Sequence, residues 1–263
     1  MINKVLEGLP LDDLFIFDVH AHYGRSTVAS LCDTFEDGIL KTMNALGVNG
    51  ICMSADAALN GDTEYGNGLV FNAVKNHPDR LFGYVSATPY YSQAEEFEKY
   101  FKNPNMLGIK IHALCQETEI DDERYAPAYE FANKNKLPVL FHTWNDWEVE
   151  KVISVAKKYP DASLIIGHSA VTEYTAKLCV IKACREYDNV YADTAISTTY
   201  DGAIDWIVDK IGSDKLLYGS DLPFFDARQG FGRVAMSNLS DGDKEKIFGL
   251  NAKRIFKLPE NMG

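Results

Sequence analysis

Short apolar runs alternate with longer amphipathic stretches from one end of the chain to the other. The runs Leu14–Val19, Gly50–Ser54, Leu81–Ser86, Leu107–Ile111, Val139–Phe141, Leu164–Ile166, Val190–Ala192 and Leu216–Tyr218 read as eight strands. Helical patterns lie between them. Asp33 is placed to cap a helix that runs to about Leu46 and stops at Gly47, and Ser92 with Glu95 forms a capping-box pattern. Asp122–Lys136 carries Tyr125, Tyr129 and Phe131 on one side, and Glu148–Tyr159 carries Val149, Val152, Ile153 and Ala156 at helical spacing. Thr172–Tyr187, Ala203–Ile211 and a closing stretch Asp241–Phe256 complete the series. The longer strand–helix connections are expected at Tyr23–Leu31, Ala55–Glu64 and Leu222–Val234.

Strands alternating with helices imply parallel pairing through crossovers. Several strands are apolar throughout, as expected where both faces are covered. A closed (β/α)8 TIM barrel, α/β in class and forming one domain over residues 1–263, is the simplest architecture. An open doubly wound sheet has less support, since neither G-x-G-x-x-G nor G-x-x-x-x-G-K-S/T occurs.

Composition narrows the partners. The formal net charge of −12 argues against nucleic acid and anionic membranes, which attract Lys and Arg. Cys32, Cys52, Cys115, Cys179 and Cys184 are odd in number and form no C-x-x-C pair, so reduced thiols are expected. Cys179 and Cys184 read as helix packing residues. The first apolar run is too short for a secretory signal, and no stretch approaches the roughly 20 apolar residues of a membrane span. A cytoplasmic protein acting on a small molecule is expected, with a homodimer as the expected assembly.

The candidate chemistry lies in the histidines. Of six, His20, His22, His112, His142 and His168 fall at the C-terminal ends of strands, while His77 reads as a helix-end residue. In a barrel those strand ends converge on one face. His20-Ala21-His22 aims two imidazoles at one point, because residues i and i+2 share a side. By the same spacing Asp18 is expected on the face of His20, either orienting an imidazole or as a buried structural carboxylate, and Lys110 beside His112. Asp221, after the eighth strand, lands next to His20 and His22 once the barrel closes. Three imidazoles and one carboxylate with room for water suit a divalent transition metal, zinc first and manganese second. Asp193 also faces this end, as a substrate contact, a lysine partner or a loop cap.

Taken in order, Asp18-Val19-His20-Ala21-His22, Gly108-Ile109-Lys110-Ile111-His112, Leu140-Phe141-His142, Gly167-His168-Ser169, Gly219-Ser220-Asp221 and Asn251-Ala252-Lys253-Arg254-Ile255-Phe256 resemble the amidohydrolase superfamily. The closest likeness is to the amidohydrolase-related branch that contains aminocarboxymuconate-semialdehyde decarboxylase. The resemblance implies one metal per subunit held by His20, His22, His142 and Asp221, with His168 as an acid/base or polarising group. Lys110 matches the strand-4 lysine that is carboxylated in two-metal members; substrate contact ranks first for it here.

Two reactions fit this set. In the first, metal-activated water hydrolyses an ester, lactone or amide of a carboxylated small molecule. Asp221 moves the proton, and His168 stabilises the oxyanion. In the second, the same ligands serve non-oxidative decarboxylation of an aromatic or diene acid. Arg25, Arg228, Lys110, His112 and Trp144 are the candidate substrate contacts. The expectation ranks hydrolysis first. A metal-bound barrel that only binds a ligand ranks behind both, since structural zinc sites are usually closed by four protein ligands.

Overall fold

The computed structural model describes residues 1–26, 29–169, 174–195, 200–260 and 262. Eight parallel strands are paired in chain order: β1 Phe17–Tyr23, β2 Gly50–Ala55, β3 Leu81–Ser86, β4 Met106–Ile111, β5 Pro138–Phe141, β6 Ser163–Ile166, β7 Val190–Asp193 and β8 Leu216–Leu217. The sheet closes on itself. Val19 N–H donates to Tyr218 O (2.9 Å), Asp221 N–H to His20 O (2.8 Å) and His22 N–H to Leu222 O (2.6 Å). The expected barrel is therefore present.

Alternation along each strand splits the core in two. Ile51, Met53, Val85, Ile109, Ile111, Val139 and Leu164 face outward onto the helices. Phe17, Val19, Cys52, Tyr84, Leu140, Ile165, Tyr191 and Leu217 fill the barrel. The C-terminal helix Asn251–Ile255 plugs the bottom. Its neighbour Phe256 lies 5.8 Å from the Phe17 ring, and Asn251 Nδ2 donates to Ser213 O (2.7 Å) and Leu216 O (2.8 Å). With that end packed shut, the C-terminal ends of the strands form the open face.

Several local expectations are corrected. β1 begins three residues later than Leu14 and runs on through both histidines, which lie within the strand and not after it. The apolar run Leu14–Ile16 packs beneath the barrel, with Ile16 N–H held by Asn49 Oδ1 (2.7 Å). Asp33 does not cap the first barrel helix. That helix spans Glu36–Leu46, Phe35 is its N-cap, and Gly47 ends it at φ 81° as expected. Ser92 and Glu95 form no capping box. Gln93 precedes the helix Ala94–Tyr100 and turns its side chain to Thr88 N–H (2.7 Å) and Ser86 O (3.0 Å). The capping box is instead Asn145 with Glu148, so that helix starts earlier, at Asp146–Lys158.

Helix Thr63–Asn76 is an addition to the expected series, and two expected loops contain helices, Asp56–Leu59 and Ala227–Ala235. Thr63–Asn76 and Ala227–Ala235 each carry two glycines, which lowers local propensity. At Gly66 the reason is packing: a Cβ there would meet Ala58 N at 2.3 Å, so only glycine lets the two helices touch. Helix Tyr174–Glu186 replaces the expected Thr172–Tyr187, and Thr172 lies outside the described residues. Cys184 is buried and Cys179 half-buried on that helix, as expected of packing residues. Among the described residues no helix is long and apolar enough to cross a membrane.

Candidate active site

The open face is built by strand irregularities that simple alternation does not reveal. β1 and β2 pair Asp18 with Ile51 but Ala21 with Met53, so β1 holds one extra residue between them. The bulge turns both Val19 and His20 into the barrel and puts His22 there too, while Ala21 faces the outer core. Asp18 is left on the other side from His20. It accepts from His20 N–H (3.0 Å) and Ser220 N–H (3.0 Å), pinning the bulge to the segment before Asp221. Its expected placement beside His20 is corrected: it is a buried structural carboxylate, and burial pushes it up to about 7 against those hydrogen bonds.

The carboxylate that orients His20 is Asp193, at the end of β7. Asp193 Oδ2 accepts from His20 Nδ1 (2.7 Å), and Oδ1 accepts from His168 N–H (2.7 Å) and Ala195 N–H (3.1 Å). His20 Nε2 then carries a lone pair, which Lys110 Nζ meets at 2.9 Å. Burial raises Asp193 and lowers Lys110, while the charge of each group opposes the shift of the other. Two glycines make room for the His20 ring. A Cβ on Gly219 would sit 2.8 Å from His20 Cβ, and one on Gly167 would sit 3.1 Å from His20 Cε1.

A second chain fixes the tautomers of the other imidazoles. Ala195 O can only accept, so His168 Nδ1 donates to it. In the neutral ring His168 Nε2 then accepts from His142 Nδ1 (3.0 Å), leaving the His142 Nε2 lone pair free. His112 stacks on His142, with centroids 3.9 Å apart and planes 12° from parallel, and its Nδ1 accepts from Cys115 N–H (3.3 Å). Trp144 stacks on the other partner, His168, at 5.2 Å and 9°. His168 and Asp221 both have left-handed backbones, at φ 60° and 61°. Such strain costs on the order of 1–3 kcal/mol each for non-glycine residues and is offset here by Asp193 and by the Asp221 N–H bond to His20 O.

Asp221 is drawn between the two chains. Its Oδ1 is 3.1 Å from His22 Nε2 and 3.7 Å from His20 Nε2, without hydrogen-bond alignment to either. Burial pushes its carboxyl up, but His22, His168 and Lys110 together outweigh that and hold it below the usual carboxylate value. Among the described residues, His22 Nδ1, His142 Nε2 and Asp221 Oδ1 are buried without a hydrogen-bond partner, as are the hydroxyls of Ser54 and Ser86. Buried polar atoms are rarely left so, and nitrogen and oxygen donors of this kind fit a divalent transition metal. One ligand atom each from His20, His168 and Asp221 lie within 4.8 Å of one another. That group contains two of the four expected ligands and adds His168. His22 and His142 lie at its edge, His22 beside Asp221 with its ring 5.7 Å from that of His20, and His142 beside His168.

Above these groups is a cleft with about 620 Å3 of empty space. His22, His142, His168 and Asp221 form one side, Trp144, Phe224, Phe225 and Leu59 give it apolar walls, and Asp56, Asn60, His112 and Cys115 complete it. Of the expected substrate contacts, His112 and Trp144 are in the wall. The structure does not bring the three cations there. Arg228 is exposed and folds back on Asp226, with Nε 2.9 Å from Oδ1 at the start of its own helix. Arg25 is exposed just beyond β1. Lys110 is fully buried behind His20. Among the described residues the cleft wall has no lysine or arginine. His77, as expected, ends the helix Thr63–Asn76.

Comparison with known proteins fixes the lineage. The model of the family described as amidohydrolase matches residues 18–258. Gamma-resorcylate decarboxylase from Polaromonas sp. (strain JS666) is 22% identical over 275 residues, covering 84% of this chain and 83% of that protein. The structure of 2,6-dihydroxybenzoate decarboxylase from Rhizobium superposes with a TM-score of 0.76 at 16% identity, covering 93% of this chain and 99% of that one. That of 5-carboxyvanillate decarboxylase from Novosphingobium aromaticivorans, complexed with manganese, superposes at 0.74 and 14%, covering 94% and 97%. All three are decarboxylases of aromatic acids, which overturns the expectation that ranked ester, lactone or amide hydrolysis first. The match spans both histidines of β1, Asp221 and the closing helix, and the chain belongs to the amidohydrolase family.

Proposed function

We propose that the protein is a divalent-metal-dependent carboxy-lyase that removes CO2 from an aromatic carboxylic acid. The observation that carries this is the cleft itself: aromatic walls, no lysine or arginine among its described residues, and unpaired imidazole and carboxylate atoms on one side. A carboxylate entering such a cleft needs a positive partner, and the unpaired atoms mark where one would be held. The decarboxylases among its relatives support the same reaction.

His20, His22, His142 and Asp221 are the proposed ligands of one ion, with His168 beside them. A bound divalent ion would hold the substrate oxygens and draw electron density from the ring. For its identity we favour manganese over zinc, supported by the manganese in the carboxyvanillate enzyme.

The overall change is ArCOO⁻ + H⁺ → ArH + CO2. The ring–carboxyl bond breaks, its electron pair stays on the ring carbon, and that carbon takes a proton. Asp221 is the proposed carrier: protonated from the cleft, it delivers the proton and returns to carboxylate. His168 holds its Nδ1–H on Ala195 O, so only Nε2 can gain a proton. Burial outweighs the pull of Asp221 and holds the imidazole below its ordinary value, so the proposed role of His168 is that of a neutral group that positions Asp221 and the substrate ring. Trp144, parallel to His168, gives the substrate ring a flat wall.

The test is CO2 release from 2,6-dihydroxybenzoate and related hydroxybenzoates by Mn2+-loaded protein in D2O. Deuterium should appear at the carbon that lost the carboxyl group, and Asp221→Asn and His168→Gln should each lower kcat by about 10²-fold or more. No CO2 from any of these acids, with turnover of a lactone or ester panel, would sink the proposal.

A further inference from the structure

The β2 side of the cleft, next to the end of β1, carries a group the reaction above does not use. Asp56 is the first residue after β2, is 4% exposed and opens the short helix Asp56–Leu59. The turn is held from both sides of Asn60, whose N–H and Nδ2 donate to Asp56 O at 3.1 and 2.9 Å. In a closed barrel of eight strands, β2 lies opposite β6, the strand that leads into His168. Asp56 and His168 line the same cleft. A substrate reaching from the His168 side to the β2 side therefore ends on a buried carboxylate, with the Asn60 amide beside it. The field of that carboxylate reaches the wall: after burial, its charge is the next influence raising the Cys115 thiol.

We propose that Asp56 sets the substrate class. It accepts a hydrogen bond from a hydroxyl or amino group on the part of the acid remote from the reacting carboxylate, and it excludes acids with a second carboxylate there. This rests on the carboxy-lyase reading and deepens it. Among the described residues lining the cleft no lysine or arginine is present to neutralise a second anion. A second carboxylate would face Asp56 in a confined, partly desolvated space, where like charges repel strongly. A neutral donor in the same place gains a hydrogen bond to a charged acceptor. By this logic the chain takes acids with one carboxylate and a neutral donor on the far side of the ring, and rejects those of the carboxyvanillate kind, with two carboxylates.

The test is a calorimetric binding series on Mn2+-loaded protein: benzoate, 3- and 4-hydroxybenzoate, 3-aminobenzoate, isophthalate and terephthalate. At least one donor-bearing acid should bind about tenfold or more tightly than benzoate, and both diacids at least tenfold more weakly. In Asp56→Asn both ratios should shrink at least fivefold, since the amide keeps an acceptor but loses the charge. Diacids that bind the wild-type protein as tightly as benzoate would overturn the proposal, as would ratios unchanged in a folded Asp56→Asn protein. Should that variant fail to fold, as read by circular dichroism, the wild-type series decides alone. The expected ratios without CO2 release from any acid would overturn the carboxy-lyase reading and leave the role of Asp56 standing.

Discussion

Replacing Asp193 with asparagine changes one atom type in a fully buried side chain, and the hydrogen bonds around it determine the effect. The carboxylate accepts three: from His20 Nδ1 at 2.7 Å, His168 N–H at 2.7 Å and Ala195 N–H at 3.1 Å. An amide has one acceptor oxygen. Facing that oxygen to the two backbone donors keeps two of the three bonds, so the NH2 group is left against His20 Nδ1. His20 must then accept at Nδ1 and carry its proton on Nε2. That proton points at the Lys110 ammonium 2.9 Å away, and the lone pair proposed for the ion is gone. Losing a hydrogen bond to a charged group costs about 1.5–3 kcal/mol. Removing the partner of a metal-bound histidine usually weakens binding by about 10–100-fold, or roughly 1.4–2.8 kcal/mol, so the two estimates agree. Asp193→Asn should therefore bind Mn2+ about 10–100-fold more weakly by titration calorimetry. Its apo form should melt several degrees lower, since about 1 kcal/mol shifts Tm by roughly 2–4 °C in a domain of this size. Affinity within twofold of wild type, with Tm unchanged, would refute the assignment of the His20 tautomer to Asp193.

The same geometry sets other expectations. Gly219→Ala puts a methyl group 2.8 Å from His20 Cβ and should cost about 1–3 kcal/mol by denaturant unfolding, with loss of activity beyond what stability explains. Glu148→Ala removes the acceptor for Trp144 N–H (2.5 Å) and Asn145 N–H (3.2 Å). It should cost about 1 kcal/mol and alter the fluorescence of Trp144. Burial also holds Glu148 above its ordinary value despite those donors. The folded protein thus keeps that proton more tightly than the unfolded chain, so stability should fall as pH rises from the ordinary glutamate value to the raised one. Glu148→Gln should remove that fall in a pH series of unfolding curves. Chelation should abolish CO2 release, and Mn2+ at 100 times its Kd should restore it and add about 2.7 kcal/mol of stability.

The barrel was legible in the sequence because buried parallel strands write themselves as apolar runs at regular spacing. The polar residues that face its open end were legible for the same reason, as interruptions placed where those runs end. What the pattern could not show was which side each residue takes. At β1 the alternation that unites His20 with Asp18 is broken by a bulge, so Asp193, distant in sequence, takes the orienting role. The signal for it was present, since Asp193 ends β7 and Lys110 is the last residue but one of β4, but only closure of the ring brings both to His20. The arginines failed for a different reason. A long side chain with a carboxylate two residues away pairs locally, as Arg228 does with Asp226, and spacing along the chain says nothing of that competition.

The reaction class was harder to read than the fold, and the reason is chemical. An ion held by three imidazoles and a carboxylate, as proposed, could activate water or grip a carboxylate, so the ligand residues alone do not choose between hydrolysis and decarboxylation. The choice depends on what surrounds them. A hydrolase needs water positioned to attack; a carboxy-lyase needs a flat apolar place for a ring, one proton donor, and little else that competes for the carboxylate. Trp144 parallel to His168, Phe224 edge-on to His22 at 4.9 Å, and the lack of lysine or arginine among the described wall residues satisfy the second requirement. Phe224 and Phe225 come from the segment Leu222–Val234, expected only as a loop, and Trp144 is held by a capping box that the sequence pattern assigns to the wrong helix. The residues that separate the two reactions are thus the ones whose placement depends on local backbone detail, which is why the sequence pattern offers candidate metal ligands without choosing their chemistry.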